Sequence, residues 1–133
     1  MKSPLDQIFG FHERALALRA ERQQLIASNI ANADTPNFKA RDIDFRAAMD
    51  AVQGGRAEAG ALARTASRHL QPAGTSAAGT PLLYRSTVQA SIDGNTVDMD
   101  VERAQFADNA LRYEANLTFI SGQIKTMLAA IQG

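Results

Sequence analysis

Few side chains in this sequence have the types and spacing that catalysis requires. The chain has two histidines, His12 and His69, far apart in the sequence, and it has no cysteine. The absence of cysteine excludes thiol nucleophiles, disulfides and thiolate metal sites. No serine has the context of a nucleophile elbow, and no glycine-rich loop follows a clear strand. The sequence therefore predicts that the protein is not an enzyme and that both histidines are structural or surface residues.

The aspartates offer the only other candidate chemistry. Six of the nine form two groups, Asp42, Asp44 and Asp50 in the first half and Asp93, Asp98 and Asp100 in the second. The stretch "DGNTVDMD" contains acids and a glycine but lacks the ligand spacing and final glutamate of a calcium loop. We therefore expect turn and helix-start carboxylates, with Asp98 or Asp100 capping the last helix, and no metal or cofactor.

The balance of charge restricts the partners. Lys plus Arg equals Asp plus Glu at 14 each, and like charges form no long run. This composition argues against nucleic acid or an anionic membrane surface as the main partner. No apolar stretch is long enough for membrane insertion, and charges interrupt the N-terminal region where a cleaved signal peptide would need an apolar core.

Helical periodicity marks the N-terminal region, about residues 4–33. Ser3 followed by Pro4 predicts the helix start, and an apolar stripe follows it with a polar interruption at 19–24. A second, short helix is predicted around Phe45 and Met49, with Asp42 or Asp44 as its cap.

The strongest periodic signal lies at about 99–132. Apolar residues alternate spacings of four and three: Phe106, Ala110, Tyr113, Leu117, Ile120, Ile124, Met127 and Ile131. This heptad seam favours coiled-coil-like pairing with another helix, although the core face of a monomeric bundle would show the same spacing. The interrupted N-terminal stripe covers this seam poorly, so other copies or subunits are expected to complete the packing.

The middle of the chain differs from both ends. Residues 53–80 are rich in glycine and alanine and poor in large apolar side chains, which predicts flexibility. Alternation at 82–88 and a turn at Asp93–Gly94 suggest a short β-hairpin. The predicted fold is mainly α, with 1–52 and 97–133 forming one antiparallel core around a flexible 53–96.

The stretch "ASNIANADTPNFKARDIDF" (27–45) closes the first helix. Its small residues permit close approach of a neighbouring backbone, and its asparagines can satisfy the free carbonyls of a helix end. Pro36 cannot continue the helix.

With its flanking residues, this stretch resembles the N-terminal signature of bacterial flagellar rod, hook and hook-associated axial proteins. Two further segments, "SIDGNTVDMDVE" and "NALRYEANLTFISGQIKTML", resemble the same family, and all three in order are similar to the proximal-rod type. The resemblance covers about residues 5–50 and 84–132. Asn37 stands where glycine is common in the family, and asparagine also tolerates a positive φ.

The resemblance implies a structural subunit of the flagellar basal-body rod that self-assembles and transmits motor torque. It also implies export by the flagellar type III apparatus into the periplasmic rod without signal cleavage. The implied partners are other rod proteins, the MS ring and the basal-body adaptor protein. A soluble coiled-coil adaptor or secretion chaperone in the cytoplasm is the alternative, since it needs the seam but not the signature.

The resemblance also assigns residues. The implied assembly signature consists of Asn29, Ile30, Ala31, Asn32, Ala33, Thr35, Pro36 and Phe38. The seam residues from Leu117 to Met127 would form the inner packing of the rod. Phe45 with Met49 resembles an export-recognition pattern, but we expect this pair to serve in packing.

Overall fold

The computed structural model describes residues 3–53, 72–75, 80–86 and 91–133. It contains three helices and three strands in the order α1 (Pro4–Ala31), β1 (Arg41–Asp42), α2 (Phe45–Gln53), β2 (Pro72–Thr75), β3 (Pro81–Tyr84) and α3 (Met99–Gln132). The mainly helical prediction is confirmed. Much of the predicted flexible middle, at 54–71 with His69 and at 76–79, lies outside the described residues.

The two long helices begin where local capping chemistry predicts. Ser3 and Asp6 form a capping box at the start of α1, in which each side chain accepts a hydrogen bond from the other residue's backbone N–H. Asp98 caps α3 by accepting from the N–H of Asp100 and Val101. Asp98 is therefore the cap, and Asp100 follows it in the first turn.

The remaining helix ends also follow local rules. Asp44 caps α2, since its Oδ1 accepts from the N–H of Ala47 at 3.0 Å. Gly133 closes α3 with a φ of 63° and donates its N–H to the carbonyl of Ala129. The alternative α2 cap, Asp42, is engaged elsewhere.

α1 and α3 pack side by side and antiparallel. Their side-chain pairs run in opposite directions along the two helices: His12 with Asn116, Gln23 with Asn109, and Asn29 with Glu102. The predicted antiparallel pairing is confirmed.

The apolar core lies where α1, α2 and the strands meet. Ala15 and Leu18 of α1 pack against Met49 of α2, with Phe45 beside them, and the guanidinium of Arg19 lies 4.2 Å from the centre of the Phe45 ring. Further buried apolar residues come from α1, the loop around β1, and β3: Ile26, Ala40, Ile43, Leu82 and Leu83. Phe45 and Met49 thus both pack against α1.

The small sheet has the order β1-β3-β2, with both pairings antiparallel. The predicted short β-hairpin is present as the antiparallel pair of consecutive strands β2 and β3, but the Asp93–Gly94 turn does not close it. β3 pairs with β1 and β2, whereas the Asp93–Gly94 turn leads into a segment that bonds elsewhere. There the N–H of Thr96 donates to the carbonyl of Phe38 at 3.0 Å, so this segment serves the loop after α1.

No helix within the described ranges is both long enough and apolar enough to cross a membrane.

Candidate assembly surfaces

The end of α1 is closed by its own asparagine. The backbone N–H of Asn32 donates to the carbonyls of Ser28 and Asn29, and its side-chain Nδ2 donates to the Ser28 carbonyl at 2.8 Å. Its Oδ1 accepts from the hydroxyl of Thr35 at 3.1 Å. Asn32 therefore satisfies two of the carbonyls in the last turn of the helix, those of Ser28 and Asn29.

Asn29 joins the helix to the strand that follows it. Its side chain donates to the carbonyl of Arg41 at 2.8 Å and accepts from the N–H of the same residue at 3.1 Å. Its Nδ2 also lies 3.3 Å from Oε2 of Glu102 on α3. Because Asn29 is 1% exposed, this signature residue acts inside the subunit and offers no outward surface.

The remaining signature positions divide by exposure. Ala31, Thr35 and Pro36 are exposed, whereas Ile30, Asn32, Ala33 and Phe38 are half-buried. The exposed end of the signature continues a row of small residues along the outward face of α1. This row, which we call the small-residue face, consists of Ala17, Ala20, Gln24, Ala27 and Ala31.

Beside the signature lies a charged network that spans four segments. Arg22 of α1 binds both carboxylate oxygens of Asp42, at 2.8 and 3.0 Å, and also donates to Gln105 at 2.7 Å. Arg85, just after β3, binds the same Asp42 at 2.7 Å and pairs with Glu102 of α3. The network therefore ties both long helices to β1 and β3.

The environment shifts the pKa values of the Asp42 and Glu102 carboxyl groups in opposite directions. Burial alone would raise the pKa of Asp42, but hydrogen bonds from Arg22 and Arg85 outweigh burial and hold this pKa below its ordinary value. Burial raises the pKa of Glu102, against the attraction of Arg85. The hydrogen bond to Asp42 raises the pKa of Arg22.

The contact between α1 and α3 includes several shielded polar pairs. Asn109 is fully buried and donates to the carbonyl of Arg19 at 2.8 Å and to Oε1 of Gln23 at 2.7 Å. Closer to the start of α1, a ring nitrogen of His12 lies 2.9 Å from Oδ1 of Asn116. The polar stretch at 19–24, which interrupts the apolar stripe, therefore meets polar partners on α3.

The apolar seam of α3 consequently lies to one side of α1. The α3 residues that bond to α1 are Glu102, Gln105, Asn109 and Asn116, and the last three each precede a seam residue by one position. One position is a rotation of about 100° around a helix. Ala110, Tyr113, Ile120 and Met127 are half-buried, whereas Phe106 and Leu117 are 38% exposed, Ile124 44% and Ile131 82%.

Several of these residues were missed by the sequence reasoning. Asp42 was interpreted as a turn or cap residue, and Arg22 and Arg85 were given no role. The network joins residues that are distant in sequence, so no local sequence pattern predicts these contacts. The one available signal was the run of polar residues at 19–24 inside an otherwise apolar stripe, since polar groups facing a helix partner need polar contacts.

Within the described part of the chain, no group of three or more His, Asp or Glu side chains is arranged to hold a metal ion. The charged groups that do converge are paired with one another and serve to hold segments together.

Comparison with known proteins identifies the family. A family profile described as "Flagella basal body rod protein" matches residues 9–39. The flagellar basal body rod protein FlgB of Salmonella typhimurium strain LT2 is 49% identical over 136 aligned residues, covering 100% of this chain and 99% of that protein. The FlgB of Escherichia coli K12 is 47% identical, over 99% of this chain and 98% of its own length. This chain belongs to the FlgB family.

The FlgB of Cereibacter sphaeroides is 46% identical over 96% of this chain and 95% of its own length. Membership of the FlgB family makes the chain a structural subunit of the flagellar basal body rod, located in the flagellum and associated with other basal-body components. The predicted function is confirmed at this level, and the alternative of a cytoplasmic adaptor or chaperone is not supported. These relatives are named as rod proteins rather than as enzymes.

Proposed function

We propose that the chain builds the proximal rod by packing the apolar seam of α3 and the small-residue face of α1 against neighbouring copies and other rod proteins. The observation that carries this proposal is the incompletely covered seam. Phe106, Leu117 and Ile124 retain 38 to 44% of their exposure although α1 lies beside them.

The seam offers enough energy to drive association. Burying a large apolar side chain completely contributes roughly 1.5–3 kcal/mol, so covering the exposed part of each seam residue contributes on the order of 1 kcal/mol. Several such residues along one helix face provide the apolar centre that a stable interface needs. Leu128, which is 51% exposed, extends the same face toward the end of α3.

The small-residue face suits close helix packing. Ala17, Ala20, Ala27 and Ala31 lack long side chains that would hold a neighbouring backbone away. Together with the longer Gln24 between them, they follow the three- and four-residue spacing of one helix face. Thr35 and Pro36 extend this surface beyond the helix end. The residues of the face itself carry no charge, and the exposed Asp34 lies between Ala31 and Thr35.

The finer setting of the subunit follows from the family resemblance. The proposed neighbours are the MS ring, the basal-body adaptor protein and other rod proteins, and the proposed route is the flagellar type III export apparatus into the periplasm. In this assembly the subunit transmits motor torque and catalyses no reaction. The residues that would carry the load are the packing residues of both long helices.

Replacing Ala27 tests the small-residue face. In a flagellated strain that lacks its own copy, Ala27→Arg is expected to abolish motility and to leave the subunit out of purified basal bodies. The added side chain occupies the space that a neighbouring helix needs, while Arg is compatible with a helix. Swimming-plate diameter and immunoblots of purified basal bodies measure the effect.

Ala104→Arg is the matched control. Ala104 is an exposed α3 residue two positions after Glu102, which bonds to α1, and two positions before the seam residue Phe106, so it faces away from α1 and from the seam. We expect this variant to swim and to enter basal bodies. Normal incorporation of Ala27→Arg would refute the small-residue face as an interface.

A further inference from the structure

The exposed turn after α1 and the segment 91–97 form one structural unit. The turn, here residues 32–38, lies near the middle of the N-terminal half, whereas 91–97 directly precedes α3. Backbone bonds join them: the N–H of Asn37 donates to the carbonyl of Asp93 at 2.9 Å, and the N–H of Thr96 to that of Phe38 at 3.0 Å. The family resemblance marks both segments but does not say why they belong together.

Asn95 is the central contact of this unit. Its Nδ2 lies 2.9, 2.8 and 2.9 Å from the carbonyl oxygens of Asn32, Ala33 and Thr35. Its Oδ1 accepts from the N–H of Val97 at 2.8 Å. Asn95 is 4% exposed, so one buried side-chain amide contacts three carbonyls at and just beyond the end of α1, of which those of Asn32 and Thr35 also accept from the backbone N–H groups of Thr35 and Phe38.

Gly94 permits the close approach. It has a φ of +75°, and a Cβ at this position would lie 2.6 Å from Oδ1 of Asn37. Asn37 itself has a φ of 60°, a conformation that asparagine tolerates better than most residues. The two segments thus meet through two unusual backbone conformations that each support the other.

We propose that Asn95 is a positioning residue for assembly, which holds the exposed Thr35 and Pro36 in the shape that a neighbouring subunit recognises. This inference rests on the proposed function, in which the end of α1 contacts another subunit. Thr35 and Pro36 are exposed, whereas the carbonyls that set their geometry point inward to Asn95.

Because of this arrangement, the shape of the assembly surface depends on the docking of residues 91–97. The turn belongs to the N-terminal half, but its shape depends on an amide that arrives only when 91–97, and hence the start of α3, has docked. A chain whose C-terminal half is not docked would present a turn of different shape. Assembly is thereby coupled to pairing of the two halves of the chain.

Two substitutions test the proposal from opposite sides. Asn95→Ala removes the amide, and Gly94→Ala retains it but drives a Cβ against Asn37. For both we expect hydrogen exchange at the N–H groups of Asn37 and Phe38 to quicken by about tenfold or more, since one or two hydrogen bonds are lost. Incorporation into basal bodies is expected to fall in parallel, while the circular dichroism of the helices is unchanged.

Gly122→Ala is the matched control, because a Cβ at Gly122 meets nothing within 4 Å. It should assemble normally and leave exchange in the turn unchanged. If Asn95→Ala lowers the helix content, Gly94→Ala decides the matter, since it retains every bonding group of Asn95. Unchanged exchange in the turn, or normal incorporation despite faster exchange, would overturn the proposal.

The Ala27→Arg variant separates this inference from the proposed function. If Ala27→Arg blocks incorporation while the Asn95 and Gly94 variants assemble normally, only the positioning role fails. If all three assemble normally, the proposed interface at the end of α1 fails as well.

Discussion

Asp42 holds three segments of the chain together through its two carboxylate oxygens. Arg22 reaches it from α1 and Arg85 from the end of β3, at 2.7 to 3.0 Å. Both arginines and the aspartate are largely shielded from solvent, with side-chain exposures of 15 to 18%. Removing the one carboxylate would leave the shielded Arg22 without its carboxylate partner and Arg85 with Glu102 alone.

Asp42→Asn should therefore lower the free energy of unfolding at pH 7 by on the order of 3 kcal/mol. The folded pKa of Asp42 is depressed, so its contribution is present above the unfolded value of about 3.9 and is lost as the pH falls through the lower, folded value. The difference between wild type and variant should therefore shrink on acidification below about pH 4. Urea unfolding at pH 7 and pH 3 measures it.

Asp44→Asn is the control for this prediction. Asp44 is exposed and caps α2, and asparagine caps about as well as aspartate. The control should stay within a few tenths of a kcal/mol of wild type. Glu102 acts in the opposite sense. Because its pKa is raised in the folded state, its contribution to the free energy of unfolding is present below about pH 4.3 and is lost as the pH rises. A stability difference for Asp42→Asn that stays constant or widens in acid would contradict the role of its charge.

Single residues were predictable from sequence where their partners are close in the chain. The capping role of Ser3 could be inferred because its partner is only three positions away. The pairing of Asp42 with Arg85 and the three carbonyl contacts of Asn95 could not be inferred, because their partners become neighbours only through the fold.

At the scale of elements, α3 depends on its cap as well as on its packing. Asp98 accepts from two N–H groups of the first turn, and Asp100 and Glu102 add negative charge where the helix dipole favours it. The cap sits directly after the segment that holds the turn at the end of α1. The start of α3 is therefore fixed more firmly than its distal end, where Ile131 is 82% exposed.

Asp98→Ala should lower the free energy of unfolding by about 1 kcal/mol, because it leaves two N–H groups of the helix start without an acceptor. Asp98→Asn is the matched control and should recover most of that loss. Thermal or urea unfolding followed at 222 nm gives the comparison. Equal stability of the Ala and Asn variants would show that the side chain does not act as a cap.

The element boundaries were predictable because caps and periodicity are local, whereas the orientation of the seam was not. Periodicity placed Phe106 and Leu117 on one face of α3, and that grouping is retained in the structure. Periodicity alone did not indicate that α1 packs against the polar α3 residues that lie one position before the seam residues. α1 packs there because polar groups of Arg19, Arg22 and Gln23 bond to Gln105 and Asn109.

At the scale of the whole molecule, the subunit joins its own parts with buried polar contacts and leaves apolar surface uncovered. The Asp42 network, Asn29 and Asn95 hold the helices, strands and turn in place. The seam and the small-residue face remain open on the outside. This division suits a subunit that folds by itself and then packs against others, since the contacts needed for folding and for assembly are different residues.

The central claim is that the exposed seam of α3 is buried in the rod. Because the chain contains no cysteine, Ile124→Cys introduces a single thiol on that seam. Its rate of reaction with a maleimide can be compared in the purified subunit, in isolated basal bodies and in denatured protein. Burial of the seam in the rod predicts rapid labelling of the free subunit and strong protection in basal bodies, whereas equal labelling of the two would contradict that burial.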